Sequence, residues 1–227
     1  MVEKIRGGLI VSCQAGPDSP LHGPTFMAAM AQCAKIGGAV GIRANGPEDV
    51  AAIKRVVDLP LFDCHKRKYD GSDVYIMPTR REAEASANAG ADVIVMDATP
   101  RQRPNGETLE SLIKFVHDEL GLPVMADIST CEEGIRAYEL GVDFVATTLS
   151  GYTSYSRPAS GPDIDLVQEL ASSLPVPIIA EGRYVTPALA RKAIEAGATA
   201  VVVGTAITAP TVITKWFVAE IKQGSTH

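Results

Sequence analysis

Residues 175–208 read PVPIIAEGRYVTPALARKAIEAGATAVVVGTAIT. The apolar run 176–181 stops on Glu181-Gly182-Arg183. Thr186-Pro187 then opens a helix-period segment, since Pro at the first helical position lacks only an N–H that would have no partner. Gly197 ends that segment, because glycine supplies the left-handed cap that other residues resist. A second apolar run, 199–204, ends on Gly204-Thr205. Strand, helix, glycine, strand is the unit of an alternating β/α fold.

The same unit recurs outward from this stretch. Apolar runs of strand length stand at 8–13, 39–43, 60–64, 92–97, 123–127, 143–147, 176–181 and 199–204. They are rich in Val and Ile and do not alternate with polar residues, as expected of a sheet buried on both faces. Helix-period segments lie at 24–35, 47–56, 80–88, 108–119, 132–139, 164–172, 187–195 and 210–222, with Thr79, Thr130 and Thr186 as expected N-caps. KIGGAV, NAGADVI, ELGVDFV and EAGATAV each put glycine between a helix and the next strand. Eight such units predict a closed (β/α)8 barrel, with a doubly wound open sheet as the alternative. Residues 1–227 are read as one domain with a frayed tail.

The totals agree. The chain has 227 residues, 46% hydrophobic and 21% charged, enough for a large core. Its net charge of −6 argues against a nucleic-acid or anionic-membrane surface. Cys13, Cys33, Cys64 and Cys131 form no CxxC or zinc-finger spacing. Scattered thiols and no signal-like or membrane-length apolar run predict a cytoplasmic enzyme.

In a (β/α)8 barrel, function sits at the C-terminal strand ends. Those ends supply Ser12, Cys13 and Gln14; Arg43 and Asn45; Asp63, His65, Lys66 and Arg67; Asp97, with Arg101 and Arg103 beyond; Asp127; Thr147 and Thr148; Glu181 and Arg183; and Gly204-Thr205. The opposite ends carry mostly Pro, Gly, Ala and Asp. Gly182, Gly204, Thr205 and Arg183 suit a phosphate, because loops after the last two strands often bind one through backbone N–H groups. Lys66 can serve as a general base or Schiff-base nucleophile, or be a solvated loop lysine. Glu181 and Asp127 end apolar strands, where a carboxylate requires a partner. His22 and His65 are further candidates for acid–base work, and His117 has little claim. Trp216 is expected to be core.

Several stretches in order, among them KRKYDGSDVYIMPT, MADISTCEEG, TTLSGYTSY and IIAEGRYVTPA, resemble the N-acylglucosamine-6-phosphate 2-epimerases (N-acetylmannosamine-6-phosphate 2-epimerases). The resemblance covers nearly the whole chain. It implies a (β/α)8 barrel that interconverts N-acetylmannosamine 6-phosphate and N-acetylglucosamine 6-phosphate in sialic acid breakdown, without cofactor or metal. It implies catalytic Lys66 and Glu181, substrate contacts at Gln14, Arg43, Asp127, Thr148, Tyr155 and Arg183, and phosphate contacts at Gly182, Arg183, Gly204 and Thr205. A homodimer is expected by analogy with such enzymes. The alternatives are another phosphate-binding barrel enzyme, such as a pentose-phosphate epimerase, and a sugar-phosphate-binding regulator without turnover. Asp63 and His65 depart from the family's usual apolar approach to the lysine, and on a barrel-lining face they would add charge beside Lys66.

Overall fold

A computed structural model describes residues 1–158 and 160–223; the tail expected to fray reaches into 224–227, outside the described residues. All eight strands form: β1 (Gly8–Ser12), β2 (Gly41–Ala44), β3 (Leu61–Asp63), β4 (Val93–Asp97), β5 (Val124–Asp127), β6 (Phe144–Ala146), β7 (Ile178–Glu181) and β8 (Ala200–Val203). Each pairs in parallel with the next, and β8 closes on β1 through Leu9↔Val201 and its neighbours. The open-sheet alternative is thereby excluded.

The expected staves also form: α2 (Pro24–Ile36), α3 (Pro47–Lys54), α4 (Arg80–Ala89), α5 (Leu109–Phe115), α6 (Cys131–Glu139), α7 (Ile164–Ser173), α8 (Pro187–Glu195) and α10 (Pro210–Gln223). The fold adds short helices that lack a helical period long enough to read, α1 (Val2–Ile5), α9 (Thr205–Thr208) and a 3-10 turn at Pro104–Gly106, and the helix expected over 108–119 ends in a π-helical stretch, Val116–Leu120. Gly38, Gly90, Gly141 and Gly197 have positive φ, as the helix–glycine–strand junctions require. The hydroxyls of Thr130 and Thr186 accept from Glu133 N and Leu189 N. Thr79 does not cap in this way: its hydroxyl donates to Glu82 Oε2 (2.5 Å), because the buried Glu82 carboxylate needs donors of its own.

Strand parity divides the core in two. Outward residues such as Ile42, Ile94, Val124, Val145, Ile178 and Val201 pack under the helices. Inward residues such as Ile10, Phe62, Val93, Met125, Phe144, Ile179 and Val202 fill the barrel. Phe62 and Phe144 meet edge to face, ring centroids 6.0 Å apart. Gly41 makes that possible, since a Cβ there would lie 3.2 Å from Ile10 Cγ1 and 3.4 Å from Phe62 Cε2. The helix α1 places Ile5, fully buried, against this inner cluster. The dry interior therefore fills from below, and its polar residues gather at the C-terminal rim.

Ile5→Ala is expected to destabilise the protein by about 2–5 kcal/mol through lost burial and a residual cavity. Denaturant unfolding of the two proteins measures it. KM is expected to remain near the wild-type value, because Ile5 lies away from the rim.

Candidate active site

The inward residues at the upper strand ends form one charged cluster. Arg43, at the end of β2, is buried, and its guanidinium forks onto Asp127 from β5: Nη2 to Oδ2 is 2.5 Å and Nη1 to Oδ1 is 3.1 Å. Nη1 also donates to Glu181 Oε2 at the end of β7. Thr148 lies 2.6 Å from Asp127 Oδ1 and 3.2 Å from Glu181 Oε2, so one hydroxyl can serve either carboxylate. Burial opposes charge on Arg43, but Asp127 and Glu181 more than offset it and hold the guanidinium protonated. Burial pushes the Glu181 carboxyl above its ordinary range; Asp127 adds to this, and Arg43 and Lys66 oppose it.

Lys66 extends the cluster toward β1. Its Nζ donates to Gln14 Oε1 at 2.6 Å, and the Gln14 amide donates to Ser12 Oγ at 2.8 Å. The segment carrying Lys66 folds back on itself: Lys66 bridges Ile76, Arg67 N donates to Tyr75 O, and Met77 N donates to His65 O. Asn45 Oδ1 accepts from Lys66 N at 2.7 Å. Cys64 lies beneath, its thiol pushed up by burial and therefore poorly suited to act as a nucleophile.

A cavity of about 420 Å3 opens above these groups. Gln14, Arg43, Lys66, Thr148 and Glu181 line it, as do Gly182, Arg183, Gly204 and Thr205. Gly182 has φ +112°, a conformation that side-chain-bearing residues rarely adopt. Arg183 is itself left-handed (φ 60°); its guanidinium donates to Ser150 O and Gly161 O, both at 2.7 Å, and stacks on Tyr152 at 4.9 Å. It thereby fastens the loop after β6 to the end of β7.

Most of the residues singled out in the sequence meet here; some do not. Asp127 lies under the cavity as the partner of Arg43. Tyr155 is half exposed, with its hydroxyl on Glu133 Oε1 (2.7 Å), and does not line the cavity; Tyr75, Tyr152 and Tyr184 do. Asp63 does not line the barrel. It faces outward, accepting from Gly46 N (2.8 Å) and Ser86 Oγ (2.5 Å), since strand parity that turns Cys64 inward turns Asp63 out. His65 and His22 line a second cavity of about 440 Å3 beside α3, which Lys66 also borders, and His117 pairs with Asp143 on the surface. Arg101 and Arg103 are occupied by Asp97 and by the carbonyls of Met77, Pro78 and Asp97. Trp216 is not core: it is exposed at the cavity rim. Sequence reasoning missed Tyr75, Ile76 and Tyr152 as rim residues, because they stand in loops beyond the strand ends.

The fold and site define a (β/α)8 enzyme whose rim holds a lysine, an arginine, two carboxylates and a glycine-edged recess. Residues 27–223 match the family model described as "Putative N-acetylmannosamine-6-phosphate epimerase". The chain is 52% identical over 224 residues to a "Putative N-acetylmannosamine-6-phosphate 2-epimerase" of Caldanaerobacter subterraneus subsp. tengcongensis, covering 98% of this chain and 94% of the relative. It is 49% identical to one of Clostridioides difficile, covering 98% and 99%. A solved structure of the N-acetylmannosamine-6-phosphate 2-epimerase from Clostridium perfringens superimposes with a TM-score of 0.94 at 47% identity, covering 96% of this chain and 95% of that one. The chain belongs to the N-acetylmannosamine-6-phosphate epimerase family. A thiamine phosphate pyrophosphorylase from Pyrococcus furiosus (TM-score 0.63, 15% identity) shares the barrel.

Arg43→Met leaves two buried carboxylates without their cation, and a loss of about 3–5 kcal/mol of stability is expected at neutral pH. Glu181 already holds its proton above the ordinary range, and without Arg43 it holds it more firmly. Its folded pKa then lies further above the unfolded value, so stability is present at low pH and lost as pH rises through the folded value. Denaturation curves at pH 5 and pH 8 are expected to show the variant closer to wild type at pH 5.

Proposed function

We propose that this chain converts N-acetylmannosamine 6-phosphate to N-acetylglucosamine 6-phosphate by removing and returning the C2 proton. The observation that carries this reading is Lys66, held by Gln14 at the rim of a cavity shared with Glu181 and the Gly182/Gly204 edge. The phosphate is read into the edge formed by Gly182, Arg183, Gly204 and Thr205. This explains why the chain places two glycines there, for close backbone approach.

Inverting C2 requires the open-chain aldehyde, because only there does a carbonyl lie beside the C2–H bond. Glu181 takes the proton of the O1 hydroxyl and delivers it to O5, the C1–O5 bond breaks, and the ring opens to the aldehyde. Lys66, in its unprotonated form, takes the C2 proton, and the electron pair moves onto O1. Arg43, held charged by its carboxylates, stabilises the enolate. Lys66 returns a proton to C2 on the opposite face as the enolate electron pair moves back from O1, and Glu181 carries the O5 proton back to O1 as the C1–O5 bond reforms, which completes the inversion. When Glu181 carries a proton, it donates to Thr148, which donates to Asp127, so the proton rests within the cluster.

Two measurements test this. Proton NMR with N-acetylmannosamine 6-phosphate in D2O is expected to show the C2 signal vanish as the gluco epimer appears, and Lys66→Ala to lower that rate by at least 100-fold. An unimpaired Lys66→Ala refutes the assignment. The pH profile of kcat/KM is expected to have an acid limb above the ordinary glutamate range, set by the raised Glu181 carboxyl, that disappears in Glu181→Gln.

The reading extends to a homodimer. Each of the other seven long helices buries at least one side chain, whereas α10 buries none and exposes Trp216, Phe217 and Val218. Leu9, on the outward face of β1 beside β8, stays part exposed, as a strand lacking its stave would leave it. A second copy is the occupant that offers both a barrel flank short of a helix and a helix short of a barrel. Light scattering is expected to give twice the 24.0 kDa chain mass, and Phe217→Glu to shift it to the monomer. A monomeric wild-type chain refutes the dimer.

A further inference from the structure

The strand order fixes which parts of the rim face each other. In a closed eight-stranded barrel, strands four apart lie opposite, so the β3–β4 side faces the β7–β8 side across the mouth. The phosphate edge is built from β7 and β8. Opposite it stand Lys66 and the returning strand of its hairpin, Tyr75-Ile76, both lining the cavity. In a 2-acylamino sugar 6-phosphate, C2 and its substituent lie at the end of the carbon chain away from the phosphate.

We propose that Tyr75 and Ile76 form the subsite for the acylamino group at C2, with the Tyr75 hydroxyl donating to the acyl carbonyl and Ile76 packing against the acyl carbon. This rests on the reading above that the phosphate lies at the Gly182/Gly204 edge. Three observations support it. The Tyr75 hydroxyl takes part in none of the hydrogen bonds among the described residues, although its backbone carbonyl is used by Arg67. Burial, with Asp127 and Asp97 nearby, keeps the phenol protonated, so it is available as a neutral donor. Ile76 is buried within the inner cluster and offers an apolar wall beside Lys66. An amide has one carbonyl acceptor and an apolar tail, and this pair of residues complements both. A site built to hydrogen-bond a group also rejects analogues that lack it.

The test uses two unreactive open-chain ligands, N-acetylglucosaminitol 6-phosphate and glucitol 6-phosphate, which differ in the acylamino group. Calorimetric affinities of wild type and Tyr75→Phe for both separate a subsite from a structural role. Wild type is expected to bind the acylamino compound more tightly. Tyr75→Phe is expected to lose about tenfold of that affinity and to leave glucitol 6-phosphate unchanged. Equal loss for both ligands, as a loosened hairpin would give, overturns the proposal, and so does no loss for either. A wild-type protein that binds neither ligand sinks the phosphosugar reading and the subsite with it. One that binds both with the expected preference but shows no C2 exchange sinks the reaction and leaves the subsite standing.

Discussion

One buried guanidinium organises the mouth of this barrel. Arg43 lies where two apolar strands end on carboxylates, and each of the three charges is tolerable because the others are there. Taking ions from water costs several kcal/mol apiece, and a buried pair repays that only with good geometry and satisfied lone pairs. Here the fork onto Asp127, the third contact to Glu181 and the Thr148 hydroxyl provide that geometry. Burial, with Asp127 beside it, outweighs the pull of Arg43 and leaves Glu181 able to keep a proton that an ordinary glutamate would have lost.

That cluster depends on strand parity. The residues that meet at the rim share the inward face with Phe62, Val95, Met125, Phe144 and Val202 below them. The same rule separates neighbours of similar chemistry. Thr148 meets Asp127 and Glu181, while Thr147 accepts from Glu181 N and donates to Glu181 O, holding the edges of β6 and β7 together. Asp63 tethers the β2–α3 loop and α4 behind the barrel wall, through Gly46 N and Ser86, instead of acting beside Lys66. Asp63 thus contributes to how the wall is held.

Much of this was legible in the sequence, and the reason is periodicity. Doubly buried strands and glycine-ended helices leave unmistakable runs, so all eight strands and the eight long helices could be read. The strand-end rule names Gln14, Arg43, Lys66, Glu181 and Gly204 as neighbours, and Thr148 only as one of a pair with Thr147. What escaped was set by loops and by solvent. Tyr75 and Tyr152 reach the rim through loops whose path no periodicity records. The apolar pattern of α10 gives no sign of which surface it covers, so Trp216 read as core. The direction of Asp63 turned on a single step of parity at the end of a three-residue strand.

The two sides of the mouth divide the work between them. The β7–β8 side offers glycine edges and a stacked arginine, features suited to holding a fixed charge without reacting. The β3–β4 side offers a lysine braced by a hairpin, whose backbone ties to Asn45, Tyr75 and Ile76 fix the position of its Cα. Between them lies the Arg43 cluster, reaching upward from the closed core. On the proposed reading, a ligand anchored at the β7–β8 rim brings its far end to Lys66, and the span between them is set by the diameter of eight strands. That is why the barrel's closure belongs to the chemistry as well as to stability: a sheet that opened would keep every residue and lose the span.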